Sequence, residues 1–292
     1  MANTIDARFT EGSLMRHVSV MSLTSSLGLM AIFLVDLIDV IFISMLGQDA
    51  LAAAAGYAST VMFFASAINI GLSVAAGALV ANAIGAGEET DAREFAFSVN
   101  IFALVLGVII PLIVMPNLDW ILSSIGAEGQ VAERAKDYLW IILPTTFLSG
   151  VAMTTVAVVR AYGDSARAMY PSLVGALVNG VLDPIFIFTL SMGLEGAAWA
   201  TATARLATAV VALIPAIRVY QAFAIPRVAC FMRDIREGLQ IAVPAVLATV
   251  ATPIGAAIIT REMSKYGTDA VAGMAVINRM IPVVFAVVLA LS

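Results

Sequence analysis

The sequence holds one cysteine, Cys230, and one histidine, His17, among its 292 residues. A single cysteine excludes an internal disulfide framework, and a single histidine leaves no His and Cys ligand set for a structural or catalytic zinc ion. Charge is scarce too, at 12% of residues against about 25% in soluble domains. The basic residues sit scattered at the ends of apolar runs and never form the stripe that nucleic acid requires. A net charge of −5 spread this thinly carries little information about partners.

What is present is apolar. Hydrophobic residues make up 61% of the chain, and the mean hydropathy is +1.00. A bilayer core of about 30 Å takes roughly 20 helical residues to cross, and apolar runs of that length recur with no room for a soluble domain between them. The pattern predicts an all-α polytopic membrane protein with spans over 17–46, 50–84, 95–116, 138–161, 168–190, 194–219, 238–262 and 270–292. The lead MANTIDARFTEGSLMRH is too long and too acidic for a cleaved signal peptide, so the first span is expected to remain.

The positive-inside bias sets an expected orientation. With the N-terminus cytoplasmic, the inner segments hold Arg8, Arg16, Arg93, Arg160, Arg167, Arg218, Arg227, Arg233 and Arg236, and the outer ones Arg134, Lys136, Arg261 and Lys265. The expected location is therefore a cell membrane, with the N-terminus inside. The stretch QAFAIPRVACFMRDIREG, 220–237, is basic and mildly amphipathic, which suggests a cytoplasmic linker along the membrane surface.

An internal repeat divides the chain at that linker. GQDALA at 47–52 returns as GTDAVA at 267–272, an offset of 220, and the same offset carries the start of span one to the start of span seven. This implies a complete six-helix lobe over 1–219, and over 238–292 the first two helices of a second, parallel-repeat lobe. The sequence stops at FAVVLALS within a span, so we expect a piece of a longer protein with four further helices.

Carboxylates inside spans single out the candidate site. An Asp at the centre of a membrane helix costs on the order of 2.5–3.5 kcal/mol, and such residues face a cavity or an ion path. Span one carries Asp36 and Asp39; span five carries Asn179 and Asp183, four residues apart on one helical face. If spans one and five meet, Asp39 and Asp183 form a buried acidic pair that a proton or a hard cation such as Na⁺ would neutralise. The alternative is that they serve as hydrogen-bonding glue between helices. Gly180 and Pro184, beside Asn179 and Asp183, weaken span five locally.

DLIDVIFISMLGQDALAAAA, VVRAYGDSARAMYPSLV and above all VNGVLDPIFIFTLSMGLEGAAWAT resemble the multidrug and toxic compound extrusion (MATE) family of secondary transporters, nearest its DinF-like branch. The resemblance implies twelve helices in two lobes and no enzymatic reaction. It implies a cation site in the first lobe at Asp39, Asn179, Asp183 and Thr201, with the same four residues as metal ligands if Na⁺ is the coupling ion. It further implies antiport of H⁺ or Na⁺ against an amphipathic or cationic drug-like compound by alternating access, with no other cofactor, by a protein that is monomeric when full length. Relatives commonly read R-G-x-G-D where this chain has Arg160-Ala-Tyr-Gly-Asp164, and a proline often found early in span one is absent near Met21. The repeat equivalent of Asp39 is Ile259, so no second cation site is expected.

Other polar residues have a functional and a structural reading. Asp36, Tyr57, Asn69 and Arg205 are possible secondary site residues; Asn82 and Asn100 are further candidates for touching substrate. Interhelical hydrogen bonding is the commoner role of such groups, and for Arg205 and Arg279 a structural pairing is expected. Two other functions are weighed: a lipid-linked sugar or polysaccharide flippase of related fold, and an intramembrane aspartyl protease. The second needs a Gly-x-Gly-Asp signature in the membrane, and Ala161-Tyr-Gly-Asp164 is incomplete and falls in a loop.

Overall fold

In the computed structural model the described residues are 49–291 and, before them, Met15, Leu23, Ser26, Met30, Ala31, 33–35, 37–39 and 41–46. Those of the N-terminal segment up to Ser44 are helical. Nine α-helices follow: α1 Asp49–Gly85, α2 Glu89–Val114, α3 Leu118–Ser124, α4 Gly129–Ile142, α5 Thr146–Ala161, α6 Ser165–Pro184, α7 Gly193–Arg218, α8 Val228–Ser264 and α9 Thr268–Leu291. No strand occurs among the described residues.

Proline marks the joints. Pro116 and Pro144 sit at the start of the single 3₁₀ turns Met115–Asn117 and Leu143–Thr145, which join α2 to α3 and α4 to α5 into continuous membrane-length units. Pro184 closes α6 and leads into a π-helical turn, Ile185–Thr189. Counting such joined helices together, six units among the described residues are long and apolar enough to cross a bilayer: 50–85, 89–124, 129–161, 165–189, 193–218 and 228–264. The first expected span lies mostly outside the described residues. The last is helical from Thr268.

Several helices begin earlier than hydropathy predicts. The helix α2 starts at Glu89 rather than 95, α4 at Gly129 rather than 138, and α8 at Val228 rather than 238. Hydropathy senses only the part immersed in lipid, whereas helical hydrogen bonding continues into charged segments beyond it. Residues 228–237 are therefore helical, and the non-helical connection shrinks to the stretch between Arg218 and Val228.

Alanine dominates the buried core, so helix axes approach closely. At Gly196 an added Cβ would sit 2.7 Å from the Phe186 carbonyl carbon, placing α7 directly against the backbone of the π turn. Two apolar clusters close the ends of the bundle. One includes Ile43, Leu51, Leu143, Ile187 and Ala197; the other includes Ala76, Val80, Val158, Ala168 and Ala216. The helix α8 lies along α1, with Thr249 Oγ1 donating to the Ala67 carbonyl at 3.3 Å and the Thr60 and Thr260 hydroxyls 3.3 Å apart.

Candidate functional site

Between the two clusters lies a cavity of about 390 Å³. Each bordering helix presents one stripe to it: Ser149, Ala152, Val156 and Arg160 from α5, Ser172, Ala176 and Asn179 from α6, and Thr201, Arg205 and Thr208 from α7. Intervals of three and four residues keep each set on one helical face. Val35 of the N-terminal segment and Ser73 of α1 complete the wall.

The carboxylates lie one layer beyond. Val35, Asp39 and Ile43 follow at intervals of four, as do Asn179, Asp183 and Ile187. In both stripes the first residue lines the cavity and the last belongs to the same apolar cluster. The rings of Phe42 and Phe188 also meet edge to face, with centroids 5.8 Å apart. The N-terminal segment and α6 therefore run parallel and in step, and Asp39 and Asp183 share the layer between cavity and cluster. Asp39 is 7% exposed and Asp183 0%. On α7, Thr201 faces the cavity and Ala197, one turn away, belongs to the cluster.

Two donors at this end of the cavity are unspent. Asn179 is 6% exposed and its Nδ2 has no hydrogen-bond partner, and neither has Thr201 Oγ1. Buried polar atoms in this condition are uncommon, and water, an ion or a ligand satisfies them where they occur.

The secondary candidates separate. Arg205 lines the cavity and donates from Nη1 to the Ile142 carbonyl at 3.0 Å and to Thr145 Oγ1 at 2.9 Å, tying α7 to the joint between α4 and α5. Tyr57 donates its hydroxyl to the Gly126 carbonyl at 3.0 Å, away from the cavity, and buried Asn69 packs against Gly150. Asn100 is saturated: its Oδ1 accepts from Thr154 and Thr155, each at 2.9 Å, and its Nδ2 donates to the Ala96 carbonyl. Asn82 is exposed. Asp36, His17 and the side chain of Arg279 fall outside the described residues.

One buried acid escaped the sequence reading. Asp234, 0% exposed, accepts from Ser98 Oγ at 2.7 Å and pairs with Arg233 at 3.0 Å, joining α8 to α2. Its only signal was a charged stretch that reads equally well as a surface linker.

The family model MatE matches residues 25–185, more than half of the chain. The chain belongs to the MatE family. Among its relatives, the multidrug export protein MepA of Staphylococcus haemolyticus (strain JCSC1435) is 24% identical over 287 residues, covering 97% of this chain and 63% of that protein. MepA of Staphylococcus aureus (strain NCTC 8325 / PS 47) is 24% identical over 273 residues, covering 89% and 58%. A crystal structure of MATE in complex with MaL6 superposes with TM-score 0.84 at 26% identity, over all of this chain and 65% of that one. An outward-facing multidrug resistance MATE family transporter of the MOP superfamily gives 0.83 at 27% identity, covering 96% and 63%. The chain thus spans less than two thirds of the length of these relatives. The family and the helical fold agree with the resemblance seen in the motifs.

Proposed function

We propose that this chain forms the first lobe and the opening helices of the second in a secondary active exporter, which moves drug-like amphipathic compounds outward as H⁺ or Na⁺ enters. The observation that carries the reading is the shared layer of the buried Asp39 and Asp183, with Asn179 and Thr201 at the adjoining end of the cavity. Two carboxylates held close in low dielectric repel one another and lose hydration, and a bound cation relieves both penalties. Two carboxylates, an amide carbonyl and a hydroxyl form an all-oxygen set suited to a hard cation, or to a proton shared by the pair. The MepA relatives are multidrug export proteins, which favours a multidrug substrate range.

Occupancy at this layer is placed to act on helix geometry. Asp183 precedes Pro184 and the π turn, where the regular ladder of hydrogen bonds is already interrupted, and Gly196 packs that turn against α7. A cation arriving at Asp183 therefore biases the joint between α6 and α7. Alternating access of the two lobes then exchanges cation for substrate, with the N-terminus cytoplasmic as the arginine asymmetry favours. At −100 mV each inward elementary charge supplies about 2.3 kcal/mol, enough for roughly a 50-fold gradient of a neutral substrate.

The test is reconstitution of the full-length protein in liposomes with dye efflux measured under separate H⁺ and Na⁺ gradients. Asp39→Asn and Asp183→Asn are each expected to abolish gradient-driven efflux while the folded protein is retained. Efflux that continues unchanged in both variants rejects the cation site.

A further inference from the structure

On the side away from the cavity, the layer of Asp39 and Asp183 is covered by the apolar cluster of Ile43, Leu51 and Ile187. Part of that cover comes from far along the chain. Val271, near the start of α9, is 3% exposed and buried in the same cluster, and Met263 and Ala272 pack against it. The tight turn at 265–267, between α8 and α9, therefore caps the carboxylate layer at the end opposite the arginines.

The turn sits in a fitted socket. Gly126, between α3 and α4, has φ +91°, and a Cβ there would stand 2.9 Å from Ser264 Cβ, so Ser264 occupies the place a side chain would need. Tyr57 Oη donates to the Gly126 carbonyl at 3.0 Å and fixes the socket to α1. One turn before Ser264, the Thr260 and Thr60 hydroxyls lie 3.3 Å apart. The helix α9 meets α1 at Gly56, where a Cβ would stand 3.0 Å from Ala275 Cβ. The 220-residue offset of the repeat carries Ala55 to Ala275, so α1 and α9, equivalent helices of the two repeat units, touch at equivalent places. Such a contact lies close to the axis that relates the units, where a rotation of one against the other makes or breaks it.

We infer that the α8–α9 turn is the gate of the carboxylate layer: seated against Gly126 and Tyr57 it closes the path from that end to Asp39 and Asp183, and the coupling cation enters when it lifts. This rests on the exporter reading above and adds the route of the cation and the part that opens. An apolar cover stops an ion because leaving water for a low-dielectric interior is prohibitively costly. Withdrawing Val271 and Met263 removes part of the cover and admits water. The seat has two positions, Ser264 in the slot or out of it, since packed surfaces switch between arrangements and do not deform continuously. At its other end α8 is fastened to α2, with Ser98 Oγ donating to Asp234 at 2.7 Å, so the turn lifts by a swing about that end.

The test locks the gate. Thr60→Cys and Thr260→Cys are introduced together with Cys230→Ser into the full-length protein, since hydroxyls 3.3 Å apart place the two sulfurs within reach of a disulfide. Oxidised with copper phenanthroline in liposomes, this protein is expected to lose cation-driven dye efflux while it still binds the dye, and dithiothreitol is expected to restore the efflux. A second variant reads the cover directly. Val271→Cys, in nanodiscs, meets the charged reagent MTSET only as the turn lifts, and adding Gly126→Leu, which cannot seat Ser264, is expected to raise the labelling rate by about tenfold or more. If the cysteine pair is inactive before oxidation, the labelling comparison decides alone. A cross-linked protein that still pumps, a pair that never cross-links, dye binding lost together with efflux, or labelling that Gly126→Leu leaves unchanged overturns the inference. Failure here is distinct from failure of the exporter reading. A cross-linked protein that still pumps while Asp39→Asn and Asp183→Asn do not rejects the gate and leaves the cation site standing. Efflux that survives both Asn substitutions yet stops on cross-linking does the reverse.

Discussion

Asn100 and Asn179 are both buried asparagines in membrane helices, yet their surroundings differ in kind. The carbonyl of Asn100 collects two threonine hydroxyls from α5, so its polarity is consumed in holding α2 to α5. Replacing it with leucine leaves Thr154 its bonds to the Gly150 and Val151 carbonyls but removes the bond to Thr155. We expect Asn100→Leu to cost about 1–2 kcal/mol, seen as a melting temperature lower by several degrees in detergent, with dye binding unchanged. Sequence spacing could not make this distinction, because an asparagine in an apolar run reports only that something polar is needed there. The burial of Asp183 was legible because a carboxylate in a membrane helix is too costly to face lipid.

Tyr220 adds a residue whose behaviour depends on pH. It lies outside the membrane spans, stacks on Tyr162 with centroids 5.0 Å apart, and donates its hydroxyl to Asp164 Oδ2 at 2.7 Å. Burial first, and then the hydrogen bond to Asp164, hold its phenol above the ordinary value of 10.0, with Arg167 pulling weakly the other way. A phenol raised in the folded state binds its proton more tightly than the unfolded chain does, so its stabilisation is complete below about pH 10 and fades as pH rises further. Tyr220→Phe should lower the melting temperature modestly at pH 8 and flatten its decline between pH 9 and 11. A decline as steep in Tyr220→Phe as in the wild type counts against this phenol as its source.

At the scale of elements, the boundaries that hydropathy misplaced share one cause. Glu89 to Glu94, Gly129 to Asp137 and Val228 to Glu237 are helical segments rich in charge that continue a membrane helix into water, where nothing in the hydropathy signal marks them. The repeat was more informative than hydropathy: α1 opens at Asp49 and α9 at Thr268, both within the paired GQDALA and GTDAVA motifs. The junction of α6 and α7 was legible only as a weak point. That the π turn accepts α7 through Gly196 requires coordinates, since a glycine in a helix looks the same whether or not a backbone crosses it. Gly196→Val should push α7 off the Phe186 backbone and misalign Thr201 with Asn179. Its expected signature is a protein that still folds, with a reduced melting temperature and at least tenfold weaker response of efflux to the cation gradient. A fully coupled Gly196→Val protein removes the junction from the mechanism.

For the whole molecule, the question is how α8, the helix that opens the second lobe, is held to the first. Along the span it meets α1 through threonine hydroxyls and through an apolar seam in which Ile241 and Ala242 pack with Leu72 and Ala75, and Val246 sits over Gly71. The junction with α2 is of another sort: Asp234 is sealed from solvent between Ser98 and Arg233, Arg233 also faces Asp91 at 3.8 Å, and its guanidinium covers the Phe95 ring at 5.3 Å. Such a knot is either complete or broken, because a buried carboxylate that loses one donor keeps its desolvation penalty without the compensation. The knot fastens α8 to α2 at the arginine-rich end, and what it holds can be read from where amides open when it is cut. In Asp234→Ala, with Ser98 and Arg233 both released, hydrogen exchange should accelerate over 228–240 by tenfold or more, equivalent to at least about 1.4 kcal/mol of local stability. Exchange in α5 and α6 should stay at the wild-type rate, since the cavity and its carboxylate layer are built without α8. Acceleration spread evenly over all helices would instead mean that Asp234 supports the fold at large rather than the α8–α2 junction.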